Sequence, residues 1–142
     1  MSEQHMYPEG KRILVIDDDT RRRLLIERIL TEEGFAVTAV AQGFSAIRAA
    51  ASVPFALAVA AVSLPGTLDG PNTMRQLRAR QPGLKALFTG DVAQSPRRPD
   101  RSCDDFIPAP FHRRDLLGCV FELLQREIAH GQIACRHHGR AG

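Results

Sequence analysis

The stretch Ile13-Leu14-Val15-Ile16-Asp17-Asp18-Asp19 decides how the rest of the chain is read. Four apolar residues in a row, without alternation, fit a strand buried on both faces, and three acids end it abruptly. From Thr20 the period changes. Leu25, Ile26, Ile29 and Leu30 recur at helical spacing, Asp19 or Thr20 can cap, and Gly34 stops the helix. A buried strand running straight into a helix is the first half of a βαβ unit.

The pattern repeats outward from there. Phe35–Val40 is a second strand and Phe44–Ala51 a short, Ala-rich helix. Phe55–Val62 is a third apolar run, followed by the loop residues Pro65-Gly66-Thr67-Leu68-Asp69-Gly70. Pro71 suits the first turn of a helix whose apolar face is Met74 and Leu77, and Pro82-Gly83 ends it. Leu84–Thr89 is a fourth strand. Residues 90–104 carry Pro96, Pro99, three Arg and three Asp, which leaves room only for a short helix. Asp105–Pro108 is a brief fifth strand. A last helix starts near Arg113 and keeps its spacing through Leu116, Leu117, Val120, Phe121, Leu124 and Ile128. Five strands alternating with five helical segments predict an α/β fold: a doubly wound, parallel, five-stranded sheet with helices on both faces. In such a sheet, chemistry sits at the carboxyl ends of the strands.

Composition excludes several function classes. A chain of 142 residues, 44% hydrophobic, is one domain that buries a core without disulfides or metal. No apolar run approaches the roughly 20 residues of a membrane helix, and Met1–Arg12 lacks the apolar core of a secretory signal. Three scattered cysteines, Cys103, Cys119 and Cys135, argue against a disulfide framework and fit a cytoplasmic setting. The net charge of +3 is spread along the chain, with 6% aromatics and no Trp, unlike a nucleic-acid footprint. Arg21-Arg22-Arg23 read as a solvated helix face. His130, Cys135, His137 and His138 match no closed zinc pattern. The expected plan is a leader over 1–10, a domain over 11–128 and a basic tail over 129–142. With 14 residues after Ile128, no output domain is expected. No Gly-rich phosphate loop follows the first strand, and Ser63 sits in no nucleophile elbow, so an enzyme is not expected. A small α/β ligand-binding protein is the bland alternative.

Taken together, Ile13–Asp18, Leu64-Pro65-Gly66 with Asp69-Gly70, Arg78–Gly90, and Asp105–Pro108 with Pro110-Phe111 resemble the receiver domain of two-component response regulators. They look closest to the receivers attached to hybrid histidine kinases. The resemblance spans residues 11–128 and implies the flavodoxin-like strand order 2-1-3-4-5. It also implies phosphoryl transfer from a kinase histidine to an aspartate at the end of strand three. Two acids after strand one would hold Mg²⁺ there, with a hydroxyl after strand four and a lysine after strand five.

Asp17 and Asp18 match the acid pair, Thr89 the hydroxyl, and Phe106 the aromatic switch position. The other two positions do not match. Counting back from Leu64-Pro65, the phosphoacceptor position is Ala61. Counting back from Pro110-Phe111, the lysine position is Ala109. No shift of register rescues either. There is no Asp or Glu between Glu33 and Asp69, and no Lys after Lys85.

The expectation is therefore a receiver that keeps the scaffold without aspartyl phosphorylation: a single-domain signalling module working by protein–protein interaction. It would need no cofactor, with Asp17 and Asp18 at most a weak Mg²⁺ site. The resemblance implies a histidine kinase or other signalling protein as partner, with pairing to a second copy as a further expectation. Arg97, Arg98 and Arg101 are the candidate partner surface. The competing expectation is a conventional phosphorelay regulator using Asp69 or Asp91 as an unusual acceptor.

Overall fold

A computed structural model of the chain describes residues 11–95 and 104–130. Five strands run β1 (Arg12–Ile16), β2 (Ala36–Val40), β3 (Leu57–Ala61), β4 (Lys85–Gly90) and β5 (Asp104–Pro108). Four helices alternate with them: α1 (Thr20–Glu32), α2 (Gly43–Ala50), α3 (Gly70–Arg80) and α4 (Arg113–His130). The segment after β4 holds only a single 3₁₀ turn, Val92–Gln94, among the described residues. Every strand pair is parallel, and the order is β2-β1-β3-β4-β5.

The unbroken apolar runs follow from this topology. Alternate residues of a strand point to opposite faces, and here both faces are covered. Ile13, Val15, Leu57, Val59, Leu87 and Ile107 pack under α1 and α4, against Ile26, Ile29, Leu30, Leu116 and Val120. Leu14, Ile16, Ala58, Ala60, Ala86 and Phe88 pack under α2 and α3, against Ala46, Ala50, Met74 and Leu77. Each fully buried Leu or Ile contributes about 1.5–3 kcal/mol. Leu25 departs from the expected helix face. It is 46% exposed beside an equally outward Leu24, and Ile26, Ile29 and Leu30 alone form the buried stripe of α1.

Polar side chains tie the elements together. Gln81 accepts from the Phe55 N–H and donates to the carbonyls of Ala50 and Val53, clamping the α2–β3 connection. Arg78 donates to the Leu84 carbonyl at 2.8 Å and to Asp104 at 2.5 Å, joining α3 to β4 and β5. Gly34, at φ 99°, makes the left-handed turn that stops α1, as its position predicts.

Candidate functional site

The strand register assembles the matched residues at one end of the sheet. Ile16 pairs with Ala60, so Asp17 and Ala61 leave their strands at the same level. Ala61 pairs with Thr89, and Thr89 with Ile107. The Ala109 N–H donates to the Gly90 carbonyl at 2.9 Å, placing Ala109 just past β5. The Ala109–Pro110 bond is cis. Asp17, Ala61, Thr89 and Ala109 thus lie at the carboxyl ends of four neighbouring strands, where doubly wound folds place their chemistry.

What these side chains can do is limited. Ala61 is 4% exposed and carries no lone pair. The β3–α3 loop folds tightly over it: the Gly70 N–H donates to the Val62 carbonyl at 2.9 Å. A Cβ on Gly70 would lie 2.2 Å from the Ala61 carbonyl oxygen, so only glycine fits there. Beside Ala61, the Thr89 hydroxyl is buried without a hydrogen-bond partner. Phe106 is half-buried against the α2–α3 core. It also lines a groove of about 610 Å³ between β5 and α4, with Phe111, Arg114, Asp115 and Cys119. Burial raises the Cys119 thiol to about 11, helped by the carboxylates of Asp105, Glu122 and Asp115.

The acid pair is split in role. Asp18 is exposed, whereas Asp17 is 1% exposed and hydrogen-bonded through both oxygens. Its Oδ2 accepts from Arg22 Nε at 2.6 Å, and its Oδ1 from Arg22 Nη2 at 3.0 Å and from the Asp19 N–H at 2.9 Å. Arg23 Nη1 donates to the Asp17 carbonyl at 2.9 Å. This corrects the reading of Arg21–Arg23 as a solvated face: Arg22 and Arg23 turn back onto the end of β1. The bond to Asp17 holds the Arg22 guanidinium above its ordinary value, with smaller help from Asp19 and Asp18. Asp19 caps α1 by accepting from the Arg22 N–H, which lowers its carboxyl below the usual value.

Sequence reasoning missed Arg22, although a signal was present. Three arginines in the first turn of α1 oppose the helix dipole, which favours acids there. Such a run calls for carboxylates close by, and Asp17–Asp19 supply them.

A divalent cation does not fit this donor set as it stands. Asp17 already accepts three N–H donors across both oxygens, Ala61 offers no side-chain oxygen, and of the acid pair only Asp18 is exposed. Among the described residues, no cluster of three His, Cys, Asp or Glu could hold a metal. The two alternative acceptors are also occupied. Asp69 caps α3 by accepting from the Asn72 N–H at 2.9 Å. Asp91 caps the 3₁₀ turn in a reciprocal box with Gln94, whose amide also donates to Ser63 at 2.7 Å. Arg97, Arg98, Arg101, Cys103, Cys135, His137 and His138 lie outside the described residues, as do the leader 1–10 and most of the tail. Among the described residues, no helix is long and apolar enough to cross a membrane.

Comparison with known proteins agrees with this geometry. PetR of Rhodobacter capsulatus is 33% identical over 116 residues, covering 80% of this chain and 48% of PetR. This chain therefore spans about half the length of that relative. A response regulator receiver protein of Sinorhizobium medicae superposes with a TM-score of 0.73 at 30% identity, covering 84% of this chain and 98% of that one. The receiver domain of a Pseudomonas aeruginosa sensor histidine kinase superposes with a TM-score of 0.69 at 27% identity, covering 82% and 98%. That domain was crystallised with a magnesium ion coordinated in its active-site cleft. The family model described as the response regulator receiver domain matches residues 13–121, so this chain belongs to the response regulator receiver family.

Proposed function

We propose that this receiver-type domain of a two-component system does not accept a phosphoryl group, and that it works by contact with a histidine kinase or another signalling protein. The observation that carries this reading is Ala61. The strand register sets it level with Asp17 and opposite Thr89, which supports reading it as the family's phosphoacceptor position, and a methyl group cannot attack phosphorus. Ala109 supports it, because the residue just past β5 carries no cationic side chain to pair with a phosphoryl group. Asp69 and Asp91 are held as helix caps, which disfavours either as a substitute acceptor. The magnesium seen in the Pseudomonas aeruginosa receiver is not required on this reading, and Asp17 is committed elsewhere. Arg97, Arg98 and Arg101 are proposed as part of the partner surface, and a second copy of the chain is one candidate partner.

Intact-mass measurement after incubation with acetyl phosphate and Mg²⁺ tests the reading. No phosphoryl mass is expected on this chain, while a conventional receiver treated alongside acquires one. A stoichiometric adduct that hydroxylamine removes would overturn it and favour the unusual-acceptor alternative.

A further inference from the structure

Arg22 opens a helix with no acid in its first turn, an unfavourable place for a cation. It is held there by a carboxylate rather than by solvent. Its planar fork meets both oxygens of Asp17, at 2.6 and 3.0 Å, with Asp17 buried and Arg22 about one-third exposed. The third donor to that carboxylate is the Asp19 N–H. A carboxylate that accepts three N–H donors across both oxygens keeps no more than about one of its four lone-pair sites for a metal ion. The guanidinium bonded to both of those oxygens also places a fixed positive charge where the metal ion would sit, and repels it.

We propose that Arg22 is a built-in cation that closes the acidic end of this sheet to divalent metal. The guanidinium does permanently what a dissociable ion does elsewhere, compensating the charge at the end of β1. It cannot be deprotonated and cannot diffuse away, so the charge state of this end of the sheet no longer follows the Mg²⁺ concentration. Arg23 reinforces the arrangement by bonding the Asp17 carbonyl, which keeps the first turn of α1 folded back on β1. The inference goes beyond the signalling reading and is separable from it, since it concerns Asp17 and Arg22 and not phosphoryl transfer.

Manganese is the probe, because its paramagnetism broadens nearby amide signals even when binding is weak. The full chain, labelled with ¹⁵N, is titrated with Mn²⁺ as wild type and as Arg22→Gln. The expected result is that amides of Asp17, Asp18 and Val62 stay sharp in the wild type at concentrations that broaden them in Arg22→Gln. The gain in apparent affinity should be about tenfold or more, the scale on which neighbouring contacts tune metal sites. Equal broadening in both proteins overturns the proposal, because Arg22 then excludes nothing. Broadening in neither overturns it too, because the missing carboxylate at Ala61 then closes the site without help from Arg22. Should Arg22→Gln not fold, Arg22→Lys carries the comparison: it keeps the charge, loses the fork, and should broaden between wild type and full exposure. Arg22→Lys remaining as sharp as wild type would overturn the proposal in that case.

Discussion

The Arg22 guanidinium holds both carboxylate oxygens of Asp17, and Asp17 is the buried partner of the two. The pair joins the end of β1 to the first turn of α1. Removing Arg22 leaves a buried carboxylate with one remaining N–H donor. Arg22→Ala should therefore lower unfolding stability by about 2 kcal/mol, below the ~3–5 kcal/mol of a fully buried pair because Arg22 is partly solvated. Urea denaturation at neutral pH measures it. A loss under about 0.5 kcal/mol, the scale of an exposed pair, would show that the contact is not maintained in solution.

Much of this architecture was legible because burial on both faces writes itself into composition. The runs Ile13–Ile16 and Leu57–Ala61 lack polar residues for that reason, and Pro71 and Gly34 mark helix ends by backbone chemistry alone. The sequence also offers no Asp or Glu between Glu33 and Asp69 and no Lys after Lys85, which is what the proposal about Ala61 and Ala109 rests on. Two things were not legible. Leu25 fits the helical period of α1 yet faces outward, because the buried stripe is only as wide as Ile26, Ile29 and Leu30. The ion pair of Arg22 depends on side-chain direction, since a basic run at a helix start can face solvent or fold back, and only the acids at the end of β1 decide which.

Thr89 carries a hydroxyl with no partner, 1% exposed, near the carboxyl end of β4. An unpaired buried hydroxyl is a cost, and valine has nearly the same shape. Thr89→Val should be neutral or should stabilise by up to about 1 kcal/mol. Thermal melts of the two proteins provide the comparison. A clear destabilisation would mean that the hydroxyl has a partner in solution and that this position keeps a polar role.

Gly70 brings α3 against the end of β3. A methyl group there would meet the Ala61 carbonyl oxygen at 2.2 Å, and that atom is backbone, which cannot swing aside. Gly70→Ala should cost more than about 2 kcal/mol, at the upper end of overpacking effects, despite alanine's better helix propensity. Its amide spectrum should shift around Ala61, Val62 and Thr89 while residues near Gln81 stay in place. A stability within about 0.5 kcal/mol of wild type would show that the β3–α3 loop relaxes freely.

Cys119 lies half-buried on α4 in the groove against β5, with its thiol pushed up to about 11 by burial and by the carboxylates of Asp105, Glu122 and Asp115. Folding keeps the thiol neutral, so this group favours the native state fully below its ordinary value of 9.0. That contribution is lost as pH rises from 9.0 to about 11, because the unfolded thiol ionises first. In a Cys103→Ser, Cys135→Ser background, Cys119 is the remaining thiol. Iodoacetamide should modify it at least about tenfold more slowly than a free cysteine at pH 8, since the thiolate is the reacting species. The rate should keep rising past pH 10 rather than levelling near 9. The same protein denatured in urea should react at the free-cysteine rate, which assigns the protection to the fold. A reaction that levels off below pH 9 in the native protein would refute the burial argument and place Cys119 in open solvent.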